Sequence, residues 1–162
     1  VPGFEIRALN DADREWVTRL LTEHWSSPRI VSRGRVCDGD RLPGFATLRD
    51  GQPIGLATYR IENDACEIVT LNSLSERQGV GSALIDAVKG VARAASCRRL
   101  WLVTTNDNVF ALGFYQRRGF DLVAVHRGAM AEARRQLKPE IPLVGLDGIP
   151  LRDEIELELT LP

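Results

Sequence analysis

The stretch "LSERQGVGSALID", Leu74 to Asp86, decides how this chain is read. Two glycines stand two apart, Gly79 and Gly81, and an apolar stripe at helical spacing follows at Val80, Ala83, Leu84, Ala87, Val88 and Val91. That spacing predicts a helix over roughly 80–95. The residues before the loop, "EIVTL" (67–71), read as a strand. Strand, glycine loop and helix start together make an anion site, because the first helical turn carries unpaired N–H groups and the positive end of the dipole. Glycine lets backbone approach a ligand without a Cβ in the way, and Ser82 adds a hydroxyl donor.

Working outward, "FEIRAL" (4–9) reads as a first strand, and Asn10 is placed to cap a helix running to about Trp25, with Asp13 in its first turn. Residues 26–44, "SSPRIVSRGRVCDGDRLPG", read as irregular, with room for a short second helix. Turn signals at Asp50-Gly51 and Asn63-Asp64 divide 45–74 into a three-stranded antiparallel meander. Beyond the glycine-loop helix, "RRLWLVTT" (98–105) is a continuous apolar strand, expected to be buried on both faces. "NVFALGFYQRRGF" (108–120) is a helix ended by Gly119, "DLVAVH" a strand, and "GAMAEARRQLK" a short helix stopped by Pro139. The tail "EIELELTL" (154–161) alternates strictly and reads as a half-buried strand, regular enough to pair across a homodimer. The order β-α-(α)-β-β-β-α-β-α-β-(α)-β predicts a mixed α/β fold.

The 162 residues are 44% hydrophobic, enough for one domain, 1–162, with its own core. No apolar run approaches the ~20 residues of a bilayer span, and the start, "VPGFEIRALN", does not read as a signal peptide. Cys37, Cys66 and Cys97 have neither disulfide nor metal-ligand spacing, which favours a reducing, cytoplasmic compartment and no metal. The formal charge of −1 argues against a general nucleic-acid binder. Its distribution is uneven. Residues 77–138 hold 11 basic and 4 acidic side chains, whereas residues 139–162 hold 1 and 6. The basic block begins at the glycine loop and suits a small polyanionic ligand.

Neither common phosphate loop fits. There is no Gly-Lys followed by Ser or Thr, and the third glycine of a dinucleotide fingerprint is replaced by Leu84. The second motif decides the matter. Residues 108–120 have the form N-x-x-A-x-x-x-Y-x-x-x-G-F. The glycine loop and this helix, one helix and one strand apart, together resemble the GNAT superfamily of acetyl-CoA-dependent N-acetyltransferases. The likeness is clearest over 66–126. It departs at Glu76, where the family has Gln or Arg; here Arg77 and Gln78 follow.

The resemblance implies a GNAT-like fold, a mostly antiparallel twisted sheet of about seven strands flanked by helices. It also implies acetyl-CoA as co-substrate and a primary amine as acceptor. The backbone at Gly79, Val80, Gly81 and Ser82, helped by Arg77 or Gln78, would hold the pyrophosphate. Val69 to Asn72 would run beside the pantetheine arm, with the Leu71 amide as oxyanion donor. Asn108 would touch the cofactor, and Arg117 and Arg118 its outer phosphate. Tyr115 would protonate the departing thiolate, a role that suits a phenol. Glu67 is the first candidate base, placed by period two on one face with Val69 and Leu71; His126 is the second. Arg33 and Arg35 would suit a carboxylate-bearing acceptor; the acidic tail would suit a cationic one. A small-molecule amine is the leading expectation. A protein amine, or a non-catalytic acyl-CoA sensor on the same fold, is the alternative.

Overall fold

The computed structural model describes residues 3–74 and 78–162. β1 (Glu5–Ala8) leads to Asn10, which forms a reciprocal capping box. Its side chain accepts from the Ala12 N–H at 2.9 Å, and the Asp13 carboxylate accepts from the Asn10 N–H at 2.8 Å. Helix α1 (Arg14–Trp25) follows and ends at Ser26 in the left-handed region.

The next segment departs from expectation. The only helix in it is a single 3-10 turn, Gly39–Arg41; residues 29–38 are a hairpin, β2 (Arg29–Ser32) paired with β3 (Arg35–Asp38). The turn residues Arg33 and Gly34 both have positive φ, 49° and 76°, the two-residue geometry that matches strand twist. A non-glycine residue in the first turn position hid the signal.

The meander is as predicted: β4 (Gly44–Arg49), β5 (Gln52–Glu62) and β6 (Ala65–Ser73) pair antiparallel. Asp50, Gly51 and Asn63 take the positive φ that their turns demand. Then come α2 (Val80–Ala94), β7 (Arg99–Thr105), α3 (Val109–Arg117), β8 (Asp121–His126), α4 (Ala129–Gln136) and β9 (Glu154–Thr160). The sheet order is β1-β4-β5-β6-β7-β9-β8, antiparallel throughout except between β6 and β7. β9 lies inside, paired on one side with β7 and on the other with β8. It therefore has no free edge with which to pair across a dimer, as its regular alternation had led us to expect; β8 is the edge.

On one face α2 and α3 cover the sheet. Val80, Leu84, Ile85, Val88 and Ala92 pack against Ala57, Cys66, Ile68, Leu100, Leu102 and Leu157. Each large apolar side chain buried there contributes roughly 1.5–3 kcal/mol. On the other face Val17, Leu20 and Leu21 of α1 pack on Leu56. β7 is fully buried on the α2 side only, at Leu100 and Leu102; Arg99, Trp101 and Val103 are half-buried. Their face is roofed by polar structure rather than core, which is why the expectation of two buried faces failed.

That roof is built from residues 127–153 and the β2–β3 hairpin. Met130 and Ala133 of α4 pack with Ile141 and Leu151, and with Val31 from the hairpin. The Arg134 guanidinium donates to the carbonyls of Ile141, Pro142 and Leu151. Buried Lys138 donates to the carbonyls of Trp25 and Arg29, both at 2.7 Å, and so closes the C-terminal end of α1. Asn106 and Asp107 hold the far end: Asn106 Oδ1 accepts from the N–H groups of Arg152 and Asp153, and Asp107 from that of Leu146.

Candidate active site

The site begins where the sheet comes apart. β6 and β7 share only three residue pairs, Ala65–Arg99, Cys66–Leu100 and Glu67–Trp101. Immediately after the last pair, the register of β6 on β5 shifts: Tyr59 opposes Ile68, Thr58 opposes Thr70, and Val69 is the extra residue. A bulge bends its strand and increases its twist. Beyond it β6 parts from β7 and leaves a gap along residues 68–73. At the gap the Asn72 side-chain oxygen is buried without a hydrogen-bond partner, a cost of about 1–3 kcal/mol unless something arrives to meet it.

The same bulge corrects the face assigned to Glu67. Cross-strand partners share a face. Glu67 pairs with Arg60, Thr70 with Thr58, and Asn72 with Leu56, which packs on α1. Leu71 pairs with Ala57, on the α2 side. Glu67 therefore shares its face with Thr70 and Asn72, not with Leu71. Simple alternation fails because one inserted residue inverts the order.

The gap opens toward the start of α2. Gly79 has φ 78° and precedes the helix with no side-chain cap, so the first-turn amides at Val80, Gly81 and Ser82 are left for an external acceptor. A Cβ on Gly79 would meet nothing within 4 Å; its left-handed backbone is what requires glycine. Gly81 has a different reason. A Cβ there would lie 2.8 Å from the Phe114 ring, so Gly81 serves the packing of α2 against α3. Gln78 accepts from Arg49. Glu76 and Arg77 lie outside the described residues.

α3 packs against the start of α2 through Phe114 and Arg118, with Tyr115 in the core beneath. The Asn108 side chain caps the helix, accepting from the Ala111 N–H at 3.1 Å. Tyr115 is 8% exposed and sits edge-on to Phe114 and Phe120, with ring centroids 5.2 and 5.5 Å away. Burial pushes its phenol above the ordinary value, so it stays protonated at neutral pH, as a proton donor must be. Of the two arginines, Arg118 is the one brought to the loop. Its Nε donates to Ser82 Oγ at 2.8 Å, and its guanidinium lies 3.5 Å from the Phe114 ring centroid. Arg117 is exposed and folds back along Gly113.

On the opposite face, Glu67 is 3% exposed and both its oxygens are engaged, one by Arg60 at 2.6 Å and the other by the Ser32 hydroxyl. The polar side of β9 is also enclosed. Glu154 is buried and bound by Arg33, while Arg99 bridges Glu156 and Glu158. His126 Nε2 lies 2.9 Å from Glu156. Burial opposes ionisation of Glu156, but the hydrogen bonds from His126 and Arg99 outweigh it and hold its carboxyl below the usual range. Arg35 pairs with Glu62, away from this cluster. All three cysteines are free. Burial raises their thiols, that of Cys66 to about 12, so none is poised as a nucleophile.

Sequence reasoning missed Arg118's precedence over Arg117, the partners of Glu67 and the anchoring of 127–153. The last was visible in part: Asn106 and Asp107 stand beside Asn108 as a polar run at a strand end.

The model of the Acetyltransferase (GNAT) family matches residues 9–120. The uncharacterized protein YdhI of Bacillus subtilis (strain 168) is 43% identical over 147 residues, 90% of this chain and 91% of the relative. Among solved structures, an IAA acetyltransferase from Bacillus cereus ATCC 14579 superposes with a TM-score of 0.76 at 19% identity, over 98% of this chain and 99% of the other. A GNAT family acetyltransferase from Elizabethkingia anophelis with acetyl-CoA bound gives 0.71 at 16% identity, over 99% and 100%.

Proposed function

The chain belongs to the GNAT acetyltransferase family, and from that premise we propose that it acts as one domain to transfer an acetyl group from acetyl-CoA to a primary amine of a small molecule, by direct attack. The observation that carries this reading is the coincidence of two openings: the parting of β6 from β7 at the Val69 bulge, and the uncapped start of α2 at Gly79. The first is a slot for an extended arm with amides along one wall. The second is a cradle for its phosphates. The unpartnered Asn72 oxygen fits a hydrogen-bond donor lying in the slot.

Acetyl-CoA supplies the activated acyl thioester. Val69 to Asn72 align the arm, and the Leu71 N–H polarises the acetyl carbonyl as negative charge builds on it. The amides of Gly79, Val80, Gly81 and Ser82 receive the pyrophosphate, with Arg77 and Gln78 at the loop and Arg118 beside Ser82. Arg117 is reserved for the outer phosphate. Asn108 positions the helix that presents Tyr115, which donates its proton to the sulfur. Glu67 accepts the amine proton through the Ser32 hydroxyl or a water, since both its oxygens already have donors. The free thiols suit a reducing compartment such as the cytoplasm.

A thermal-shift titration tests the site. Acetyl-CoA raises the melting temperature of the wild type by mass action, and Gly79→Glu abolishes the shift; full affinity in that variant overturns the cradle. Mass spectrometry of an amine panel then reads the product. Tyr115→Phe lowers kcat about 10²-fold or more while acetyl-CoA affinity holds; an unchanged chemical step removes Tyr115 as the acid. Cofactor binding without product on any amine replaces the enzyme by a sensor.

A further inference from the structure

Among the described residues, Arg127 stands beside the roof without a partner. Of the guanidiniums near it, Arg152 only approaches Asp153, and three others are engaged. Arg33 binds Glu154, Arg134 binds three carbonyls, and Arg135 binds Glu132. Arg35, which the family resemblance grouped with Arg33 for an acceptor carboxylate, is turned away to Glu62. Arg127 is exposed and makes no hydrogen bond or ion pair with any described residue. It borders an open groove of about 670 Å³ lined also by Arg33, His126, Gly128, Glu132 and Arg135. The groove continues past Gly128 to Arg152 and Asp153, which approach each other only to 4.0 Å. Four guanidiniums line this continuous surface; Arg33 and Arg135 are ion-paired with Glu154 and Glu132, Arg152 stands 4.0 Å from Asp153, and Arg127 is the one without a carboxylate beside it. Gly128, with φ 76°, would carry a Cβ into open space, so nothing crowds the floor beside Arg127.

The groove is positioned to serve the thioester slot. His126 pairs with Glu154, and Glu154 with Thr105 at the end of β7, where β6 has already departed. The His126 side chain points to the face that bears Glu154 and Glu156, the face that Glu67 and Trp101 also share. From β7 to β8 is two strand spacings, roughly 10 Å. We propose that the acceptor is a small amine carrying a remote anionic group, a carboxylate or phosphate, which Arg127 binds in this groove while the amine reaches the slot beyond β7, two to three strand spacings or roughly 10–15 Å away. Guanidinium is suited to both anions through its paired N–H groups. The paired arginines have their carboxylates already, and Arg127 supplies the free fork.

This assignment rests on the acetyltransferase reading for the position of the amine, but its test separates the two. The probes are unbranched ω-amino carboxylates of increasing length, the ω-aminoalkyl phosphates of the same lengths, and the neutral ω-amino amides. Binding to the full chain is measured by calorimetry, and acetyl transfer by steady-state kinetics. The anionic probes bind roughly tenfold to hundredfold more tightly than the amides, the size of effect expected for a charged hydrogen-bonded pair. The preference peaks where amine and anion are roughly 10–15 Å apart. Comparing the carboxylate and phosphate series decides which anion the groove takes. Arg127→Gln removes the preference through KM with little change in kcat, and acetyl-CoA affinity is unchanged; Arg19→Gln, exposed on α1, keeps it. Amides that bind as well as the anionic probes, or a loss in Arg127→Gln that is equal for both, overturn the proposal. Anion-selective binding that depends on Arg127 without any transfer upholds the groove and counts against the enzyme.

Discussion

Asp13 shows how much one side chain does in this chain. It is 3% exposed and accepts from Arg7, from the Asn10 N–H and from the Trp16 indole. The Arg7 hydrogen bond outweighs the cost of burial, and with the Asn10 and Trp16 bonds it holds the carboxyl well below the ordinary value. The folded value lies under the unfolded one of about 3.9, so the stabilisation is complete above that pH and is lost as pH falls below it. Asp13→Asn is expected to lose about 1–3 kcal/mol at neutral pH. The gap from wild type should close on acidification below about pH 4 in chemical denaturation; a gap independent of pH means the carboxylate charge is not what matters. Glu67 carries the opposite lesson for sequence reading. Its place on β6 was legible from alternation, but its face was not, because a bulge has no signature in residue type. Its donors, Ser32 and Arg60, come from a hairpin and a neighbouring strand that only the fold assembles.

Among the elements, those with a periodic or capping signal were legible. Asn10 marked α1, Asp50-Gly51 and Asn63-Asp64 marked the meander, Gly79 and Gly119 bounded the two site helices, and strict alternation marked β9. What alternation could not supply was the neighbour. The acidic side of β9 meets Arg33, Arg99 and His126 rather than water, and both its edges are occupied. The β2–β3 hairpin was missed because Arg occupies a turn position that usually takes Asn, Asp or Gly. Its attachment depends on Lys138, whose ammonium closes α1 and binds the Arg29 carbonyl. Lys138→Ala is expected to destabilise the chain by about 1.5–3 kcal/mol, since it strips two part-buried carbonyls of a charged donor. Hydrogen exchange should quicken first in residues 26–38; uniform quickening across the sheet would mean that the roof and sheet unfold as one.

At the scale of the molecule, the family frame was legible because two motifs on separate elements fall into register only if a strand and helix lie between them. The acceptor side was not, since residues 127–153 are held by contacts to Trp25, Arg29, Asn106 and Asp107 that no local pattern announces. The β6–β7 ladder covers three residue pairs and then stops. In hydrogen exchange, acetyl-CoA should slow the amides of residues 68–73 and of the first turn of α2, with little effect on β1 and β4; protection confined to β8 and α4 would move the cofactor to the other side of the sheet. The parting of these strands also has a cost outside catalysis. It is a strand edge inside the molecule, and unpaired edges recruit other strands. β8, the outer edge next to the roof, is broken by its own bulge at Val123, whereas the inner edge is guarded only by the narrowness of the slot. A resident arm would double as a plug against mispairing. The fraction of time the slot stands empty would then set how readily the protein self-associates.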